Sequence, residues 1–577
     1  MRQVNDNVGN KWRPLQILCL HSLLIVVLAY SHSVSFDETG HLAAGLVHWK
    51  HSDFSMYAVN PPLVRLIALS PTIPLVSDYE VPEYSAFVEH RAELPVGVHF
   101  ATSHPQYLHC VFIARLACIP FSLLGAMLCF HWTKSLYGYK SGIAAMLLWC
   151  FSPTIQSNAS QVLPDLAATS LILASCYLLR SWYDSIQTPR PLQLGCVIGA
   201  ALLTKFTAVI LIPIAIFTIF AATFVRLGRP SISTIGILIR QFSILFATIL
   251  VVINVGYFFE ETCVPLREFE FVSETLSGNS RIENVKGNRF KASCFSKFPV
   301  PIPRNYVLGI DLAKYEFERG YWCYLNGEFQ NKGWWYFYLY ALLMKEPFGF
   351  WCLFVIAIAG VSVRFVRRRL SFEEWMLIGT SVLVLTTVSS QTGYTHHLRY
   401  ILPVLPIWYI LSSAISANSR LASIQFVFLA AFVASSCLNF PHQISYFNEI
   451  AGGTANGWKH LNSSNYDWGQ NLIFLKNWID LNPGKQPLFV QTSGAIPPSV
   501  YGINSQPANA GFSSDGEVSF PSGWYAICVG EMLKVDSPVR PFLKLEPVER
   551  VAHTVFIYHL AEPYVVREKN SKREEAQ

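Results

Sequence analysis

Apolar segments long enough to cross a membrane recur along this chain. About 20 apolar residues in a helix span the ~30 Å hydrocarbon core of a bilayer. Only 14% of the 577 residues are charged, where soluble domains carry about 25%. These features predict a polytopic α-helical membrane protein and disfavour a disordered chain, a coiled coil and a one-domain soluble enzyme. No nucleic-acid partner is expected, because the net charge of +6 comes from scattered residues.

About eleven spans are predicted. They cover Leu15–Val34, His109–Phe130, Gly142–Ile155, Leu166–Leu179, Leu192–Leu203, Phe206–Phe224, Ile235–Phe259, Trp335–Val363, Glu374–Val388, Ile401–Ile415 and Ile424–Leu438. The first could instead be a signal peptide, but its apolar part exceeds the usual 7–15 residues and favours a retained span. The mean hydropathy of only +0.33 indicates that much of the chain lies outside the bilayer.

Basic residues predict the orientation, because cytoplasmic loops are enriched in Lys and Arg. The clearest group is Arg364 with Arg367–Arg369, whereas the alternate loops around 156–163 and 391–398 lack Lys and Arg. The N-terminus is therefore expected inside, with outer loops at about 35–107 and 260–333. A transmembrane domain (1–439) would precede an extracytoplasmic α+β domain (440–577).

The tail contains alternating segments typical of strands at Pro487–Gln491, Tyr525–Val529 and Thr554–His559, and an amphipathic helix at Gly469–Ile479. Four cysteines lie outside the predicted spans. They are Cys263, Cys294, Cys323 and Cys528. One disulfide among them is compatible with an oxidising compartment, and its pairing cannot be read from spacing.

Two adjacent carboxylates, Asp37 and Glu38, lie where the first predicted span meets the membrane surface. His41 follows four residues after Asp37, so a helix would place both on one face. A carboxylate at this boundary can accept the proton of a hydroxyl, particularly if partial desolvation raises its pKa. The alternative is an acid that caps a surface helix.

Downstream, Asn60 precedes Pro61-Pro62, a pair that suits the first turn of a helix. The helix would lie along the interface with the Arg65 guanidinium extended to water. A plain amphipathic anchor explains the same pattern.

Charges inside apolar segments are costly and indicate functional sites. Arg115 lies early in the second span, Lys205 between two spans, and Lys345 interrupts the eighth. For Arg115 and Lys345 the alternative is a structural ion pair, with Glu346 as one candidate partner.

Further polar residues begin the fourth and tenth spans on the same side. Asp165 heads the fourth span, where a helix cap is the alternative. His396, His397 and Arg399 open the tenth and could hold an anionic group such as a phosphate. The two histidines are a weak metal signal, because adjacent helical positions point in different directions.

Acids and phosphate-sized basic sites at the outer boundary suit group transfer from a lipid-linked phosphate donor. A transporter or flippase of lipid-linked sugars would favour midplane charges and internal repeats. A membrane-anchored glycan-binding module would use tail aromatics such as Trp458, Trp468 and Trp524. Neither rival explains the acid pair together with the outer arginines.

Several short motifs follow one another in a distinctive order and membrane placement. They are Asp37-Glu38 with Gly40-His41, Asn60-Pro61-Pro62-Leu63, Arg115 with Gly125, Tyr137-Gly138, Ser152-Pro153, Pro164-Asp165, Leu203-Thr204-Lys205-Phe206, Lys345-Glu346-Pro347, Arg399-Tyr400, Tyr446-Phe447-Asn448-Glu449 and Asn465-Tyr466-Asp467-Trp468-Gly469-Gln470. With these motifs the chain resembles the GT-C membrane glycosyltransferases, specifically bacterial glycosyltransferase family 39, relatives of the protein O-mannosyltransferases and the lipid A aminoarabinose transferase.

The resemblance implies transfer of one sugar from a polyprenyl-phosphate donor to a hydroxyl acceptor, with inversion. Asp37 would be the general base and Glu38 would orient the acceptor or support Asp37. Arg115 would bind the donor phosphate, and Asp165 matches an acid of the lipid A enzyme. Arg399 and Lys345 are added here as further candidate phosphate partners. The setting implied is a bacterial inner membrane, with the active site and tail facing the periplasm.

The chain also departs from the family pattern. Asn60 replaces a lysine of the lipid A transferases, and Arg65 is a candidate substitute for its phosphate contact. The second outer loop lacks the β-trefoil domain of eukaryotic mannosyltransferases. No cofactor is expected; a divalent metal is used by some GT-C oligosaccharyltransferases, but no acidic cluster here requires one.

Overall fold

The computed structural model describes residues 12–84, 91–185, 190–229, 231–278, 286–417, 421–508, 511–512 and 517–567. Within these ranges the chain is mostly helical. The helices of the first half are α1 (Arg13–Ser31), α2 (Phe36–His51), α3 (Leu63–Leu69), α4 (Glu93–Ser103), α5 (Tyr107–Tyr137), α6 (Tyr139–Phe151), α7 (Pro153–Ala159), α8 (Pro164–Asp184), α9 (Pro191–Leu202), α10 (Leu211–Leu227) and α11 (Ile232–Gly256).

The remaining helices belong to the second outer loop, the later apolar segments and the tail. They are α12 (Glu274–Ser277), α13 (Arg304–Arg319), α14 (Phe337–Lys345), α15 (Phe348–Val366), α16 (Phe372–Ser389), α17 (Val404–Ser412), α18 (Ala422–Leu438), α19 (Leu472–Leu481) and α20 (Val529–Met532). Short 3-10 turns at Phe206–Ile210 and Leu398–Ile401 interrupt the apolar segments.

Five helices in the described part of the chain are long and apolar enough to cross a bilayer, and a bent pair, α7 with α8, can supply a sixth. The five are Arg13–Ser31, Tyr107–Tyr137, Phe206–Leu227, Ile232–Gly256 and Phe348–Val366. Four further predicted spans coincide with shorter apolar helices (α6, α9, α17 and α18). The protein is thus an integral, multi-pass membrane protein, and the total of eleven spans stays a prediction.

Two breaks in the apolar helices shape the outer side of the molecule. Helices α7 and α8 meet at 113°, and the turn between them directs the backbone N–H of Val162 toward Glu38 (2.9 Å to Oε1). The predicted span Trp335–Val363 is two helices, because Pro347 ends the helical hydrogen bonding after Lys345.

Close helix packing in the transmembrane part depends on small residues. A Cβ on Gly125 of α5 would lie 2.1 Å from Cζ2 of Trp149 on α6, so a larger residue would force these helices apart. Trp149 is fully buried and donates its indole N–H to the Ser122 carbonyl (3.0 Å). This packing joins the outer end of α6 to the middle of α5.

The tail forms the predicted α+β unit. A hairpin of β1 (Trp322–Leu325) and β2 (Glu328–Asn331) lies earlier, in the second outer loop. The strands of the tail are β3 (Leu488–Gln491), β4 (Gln506–Pro507), β5 (Gly511–Phe512), β6 (Glu517–Phe520), β7 (Gly523–Cys528), β8 (Glu549–Val551), β9 (Val555–Leu560) and β10 (Tyr564–Arg567).

The larger tail sheet has the order β4-β3-β7-β9-β8, with β3 parallel to β4 and β7 and the remaining pairs antiparallel. The predicted strands are confirmed as β3, β7 and β9, and the predicted helix is confirmed as α19. A smaller antiparallel sheet has the order β10-β6-β5.

The cysteines do not form the disulfide that the sequence allows. Each of the 13 cysteines, all within the described ranges, is a free thiol. Cys263 and Cys294 are exposed, whereas Cys323 and Cys528 are buried.

Candidate active site

A cavity of about 240 Å³ lies among residues from both outer loops and the outer ends of the apolar helices. Five of the predicted site residues line it, and these are Asp37, His41, Asn60, Asp165 and Arg399. Thr387 and Val388, at the end of apolar α16, line the same cavity as the polar groups. The cavity therefore adjoins an apolar helix at the level of the predicted membrane boundary.

Asp37 reaches this cavity because α2 begins one residue earlier. Ser35 is the N-cap residue, and its backbone N–H donates to Oε2 of Glu38 (3.0 Å). This capping arrangement directs Glu38 inward and leaves Asp37 on the cavity side. Asp37 keeps 19% of its side chain exposed, whereas Glu38 is fully buried.

Asp37 forms an ion pair with Arg399, which lies in the 3-10 turn before α17. Arg399 Nη2 donates to Asp37 Oδ2 at 2.5 Å. Arg399 Nε lies 3.7 Å from Asp165 Oδ2 and makes no hydrogen bond with the described residues. The guanidinium therefore keeps a donor that a ligand could engage.

Asp165 and Lys205 form the second ion pair of the cavity. Pro164 begins α8, and Asp165 in its first turn accepts a hydrogen bond from Lys205 Nζ. The Lys205 ammonium also lies 4.2 Å from the ring centroid of Tyr400, a favourable cation–π distance. Two carboxylates and two cations thus converge from four separate segments of the chain.

Glu38 and Arg115 form a separate, closed pair. Arg115 Nε and Nη2 donate to the two Glu38 oxygens at 2.9 and 2.7 Å. The other guanidinium donors reach the carbonyls of Ala29, His32 and Ser33 at 2.7–3.0 Å. The prediction that Arg115 binds a phosphate needs correction, since each of its donors has an internal acceptor and its side chain is 2% exposed.

Arg65 is another corrected assignment. It was expected to extend into water, but it is buried and donates to the carbonyls of Tyr57 (3.1 Å) and Asn60. The guanidinium fixes the turn that carries Asn60 and lies outside the set of residues that line the cavity. It is therefore not placed to substitute for the lysine that the family pattern has at position 60.

Lys345 lies outside the main cavity as well. Its ammonium is buried and donates to the carbonyls of Ile444 (2.8 Å) and Asn465 (2.7 Å). It borders a cavity of only about 20 Å³, which is close to the size of one water molecule. The proposed ion pair with Glu346 is replaced by hydrogen bonds to Glu346 from Tyr409 (2.9 Å) and Ser152 (3.3 Å).

The two predicted histidines diverge. His397 is buried and its Nδ1 lies 2.5 Å from Ser464 Oγ, whereas His396 faces a different cavity of about 500 Å³ beside the tail. Burial lowers the pKa of His396 to about 4, so it is neutral at pH 7. Neither belongs to the residues that line the Asp37 cavity.

Several residues of the cavity were not singled out from the sequence. Arg91 and Glu316 come from the two outer loops, and Tyr57 and Tyr394 supply aromatic walls beside Tyr400 of the Arg399-Tyr400 motif. Burial, and the nearby negative charge of Asp37, raise the pKa of Glu316. Lys205 was identified from the sequence as a charge between two spans and as part of the Leu203-Thr204-Lys205-Phe206 motif, without a role at the site. The one local signal for Arg91 is a charged residue in an outer loop, which is too common to identify a site.

One segment of the tail holds both sides of the Asp37–Arg399 pair; we call residues 462–472 the clamp segment. Its Trp468 carbonyl accepts the Phe36 N–H (3.1 Å), and the Gly469 carbonyl accepts the Ser33 hydroxyl (2.7 Å). Trp468 also packs under Arg399, with 4.4 Å from the guanidinium carbon to the ring centroid.

The clamp segment also fixes the chain on the N-terminal side of Arg399. Asn465 accepts the Leu398 N–H (2.9 Å) and donates to the His396 carbonyl (2.6 Å). The tail therefore supports the backbone on both sides of the Asp37–Arg399 pair from behind, because the residues that line the cavity all come from positions 37–400.

No group of three or more His, Cys, Asp or Glu that could hold a metal ion occurs within the ranges that the structure describes. The expectation that the reaction needs no cofactor stays a prediction.

A family model described as dolichyl-phosphate-mannose-protein mannosyltransferase matches residues 110–254. This stretch covers about a quarter of the chain and contains most of α5 together with α6 to α11. The match confirms the predicted resemblance to the GT-C glycosyltransferases of family 39 and supports the predicted enzyme class. It also supports the GT-C part of the predicted fold class, whose helical transmembrane part and sheet-containing tail are both present.

Three solved structures match the chain over about three quarters of its length. ArnT from Cupriavidus metallidurans bound to undecaprenyl phosphate is 12% identical with a TM-score of 0.43, and the match covers 75% of this chain and 65% of that one. The apo form of the same protein is 14% identical with a TM-score of 0.43, and the match covers 76% of this chain and 66% of that one. The apo oligosaccharyltransferase of Archaeoglobus fulgidus is 12% identical with a TM-score of 0.38, and the match covers 75% of this chain and 54% of that one.

The chain thus spans less than two thirds of the length of each of these proteins. No curated protein matches the sequence.

Proposed function

We propose that this protein is a membrane glycosyltransferase that moves one sugar from a polyprenyl-phosphate donor to a hydroxyl acceptor. The observation that carries the proposal is the convergence of an accessible acid, Asp37, with Arg399 and Lys205 in one cavity beside an apolar helix. An acid serves the acceptor, two cations serve a phosphate, and the apolar helix suits a lipid chain. The match to the mannosyltransferase family agrees with this division.

Asp37 is the general base in this proposal. As the acceptor oxygen attacks the anomeric carbon, its proton passes to Asp37 and the bond from that carbon to the phosphate oxygen breaks. The lipid phosphate leaves with the bonding electron pair, and a single displacement inverts the anomeric centre. Asp165 is the weaker candidate for the base, because Lys205 and Arg399 both neutralise it.

Arg399 and Lys205 take the role first assigned to Arg115. Both are cations at the cavity, and the Nε of Arg399 is free of hydrogen bonds to the described residues. Fixed cations beside a departing phosphate stabilise the charge that develops in the transition state. His41 and Asn60 line the same cavity and are proposed to contact the sugar or the phosphate.

The reaction is proposed to occur on the extracytoplasmic face of a bacterial inner membrane. The basic group at Arg364–Arg369 lies at the opposite end of α15 from the break at Pro347, which agrees with a cytoplasmic position for those arginines. The division into a transmembrane domain (1–439) and a tail domain (440–577) is retained in the proposal, with the tail on the outer side.

The test compares wild type with Asp37→Asn in nanodiscs, supplied with radiolabelled polyprenyl-phosphate sugars and an envelope extract as acceptor. Loss of the base should reduce transfer by about 10²–10⁴-fold. Undecaprenyl phosphate binding and thermal unfolding should stay near wild type. Transfer by the variant at a near-normal rate would reject Asp37 as the base.

A flippase of lipid-linked sugars would give a different result. It would move labelled donor across the bilayer of proteoliposomes without consuming it, and the sugar would stay on the lipid. Such movement without any transfer product would replace the proposed function.

A further inference from the structure

A second, larger cavity of about 450 Å³ lies between the two outer loops. Acids dominate its charged lining. They are Asp53, Glu93, Glu260, Glu261, Glu270 and Asp311, and the cations among the lining residues are Lys286 and Arg304. A cavity with this charge ratio favours a positively charged ligand.

Most of these acids already have structural partners. Asp311 accepts the backbone N–H groups of Val272 (2.6 Å) and Ser273 (3.0 Å). Asp53 accepts the Tyr84 hydroxyl (2.6 Å). These carboxylates hold the cavity walls in place.

Glu93 differs from the others. It is 1% exposed, yet neither carboxylate oxygen makes a hydrogen bond with any residue that the structure describes. Its nearest charged neighbour is Arg91, with Nε 3.3 Å from Oε1. Arg91 itself faces the Asp37 cavity, so Glu93 keeps unused hydrogen-bond acceptors in the acidic one.

The acidic cavity adjoins the Asp37 cavity. Tyr57 lines both, and Gly40, one helical turn after Asp37, packs against Tyr57 and Glu93. A Cβ on Gly40 would lie 2.8 Å from Glu93 Cγ, so a larger residue here would push Glu93 away. Glu93 therefore lies in a cavity that shares its Tyr57 wall with the cavity of the proposed base.

We propose that this acidic cavity binds an ammonium group of the acceptor and holds the acceptor hydroxyl beside Asp37. The inference rests on the proposed transferase function and gives it an acceptor class, a molecule that carries both a hydroxyl and a primary amine. The ammonium supplies hydrogen-bond donors for the free Glu93 oxygens, and Tyr57 separates the amine end from the reacting end.

The charge state of Glu93 gives the inference a pH signature. Burial raises its pKa to about 7, against the opposing charges of Arg91 and Arg65 and with a smaller raising contribution from Glu316. The phenol of Tyr57 adjoins it through Gly40 and is neutral in this range. An ammonium favours the ionised carboxylate, so affinity should rise as pH increases through about 7, with proton release on binding below that value.

The experiment measures binding of pentalysine with an acetylated N-terminus to the full-length protein in nanodiscs by titration calorimetry, between pH 5.5 and 8.5. Lysine side chains stay protonated over this range and the α-amino group is blocked, so the ligand does not titrate. Fully side-chain-acetylated pentalysine has the same length without the ammonium groups. Glu93→Gln tests the site, and Glu268→Gln removes an exposed acid of the second outer loop that does not line the cavity.

Pentalysine should bind the wild type and the Glu268→Gln variant alike and bind Glu93→Gln about 10–100-fold more weakly, the range for a hydrogen bond to a charged group. The acetylated peptide should not bind, and the rise of affinity with pH should disappear in Glu93→Gln. Equal binding of both peptides, or an unchanged affinity and pH profile in Glu93→Gln, would overturn the inference.

Sugar transfer in the nanodisc assay, measured on the same samples, separates this inference from the proposed function. Pentalysine binding without any transfer activity in the nanodisc assay would reject the transferase and with it the acceptor role. Transfer without pentalysine binding would reject the cation site alone. If Glu93→Gln does not fold, the pH profile of the wild type decides, since a flat profile contradicts the role of Glu93.

Discussion

Adjacent residues Asp37 and Glu38 each pair with an arginine, and the two pairs differ in almost every other respect. Glu38 is fully buried, and Arg115 donates all its hydrogen bonds to Glu38 and to three carbonyls at the end of α1. Asp37 is partly exposed, and Arg399 retains a donor without a hydrogen bond to the described residues. A pair whose hydrogen-bond donors are all occupied joins segments of the fold. A pair that has a donor left over beside a cavity can exchange its contacts for those of a substrate.

The largest expected effect is a loss of stability when the Glu38–Arg115 pair is broken, which breaking the Asp37–Arg399 pair should not cause. Glu38→Gln leaves the Arg115 charge buried without its counter-ion and should lower the free energy of unfolding by about 3–5 kcal/mol. Thermal unfolding and yield in detergent measure this loss. Asp37→Asn is the matched control and should unfold near the wild-type temperature; equal destabilisation by both would erase the distinction.

A smaller effect is expected at the cavity arginine. Arg399→Lys keeps the charge but loses the planar guanidinium, so it should lower kcat/KM for the donor by about 10–100-fold. Arg115→Lys is the control, and it should change stability more than the kinetics of the protein that remains folded. Initial rates against donor concentration test this, and a normal kcat/KM in Arg399→Lys would remove this residue from the proposed phosphate site.

The smallest effect concerns the support beneath Arg399. Trp468→Ala removes a cation–π contact of about 0.5–2 kcal/mol and should lower transfer by about 2–30-fold. Trp468→Phe should restore part of the activity, because a ring face remains. Trp524→Ala, which removes a ring stacked on His559 in the tail sheet, should leave transfer unchanged; similar losses in both alanine variants would indicate a general weakening of the tail.

Sequence reasoning predicted the parts of the site that depend on position relative to apolar segments. Asp37, Asp165 and Arg399 each lie at the outer end of such a segment, and all three line one cavity. The tail strands were predicted because alternation of apolar and polar residues is a local signal.

The partners of Arg115 and Arg65 were not predictable in the same way. Both guanidiniums bond to backbone carbonyls exposed where the chain leaves a helix or turns. No periodic pattern records where those carbonyls point. Arg91 and Glu316 lie in long outer loops, where charged residues are frequent and only the tertiary fold brings them to the cavity.

The clamp segment has a consequence for biosynthesis. Asp37 and Arg399 are separated by 362 positions, and Trp468 follows later still. At synthesis rates of about 5–20 residues per second, Arg399 emerges roughly 20–70 s after Asp37. The nascent chain therefore carries its proposed base through most of translation without the groups that orient it, and a copy that stops before the tail has crossed the membrane would be inactive.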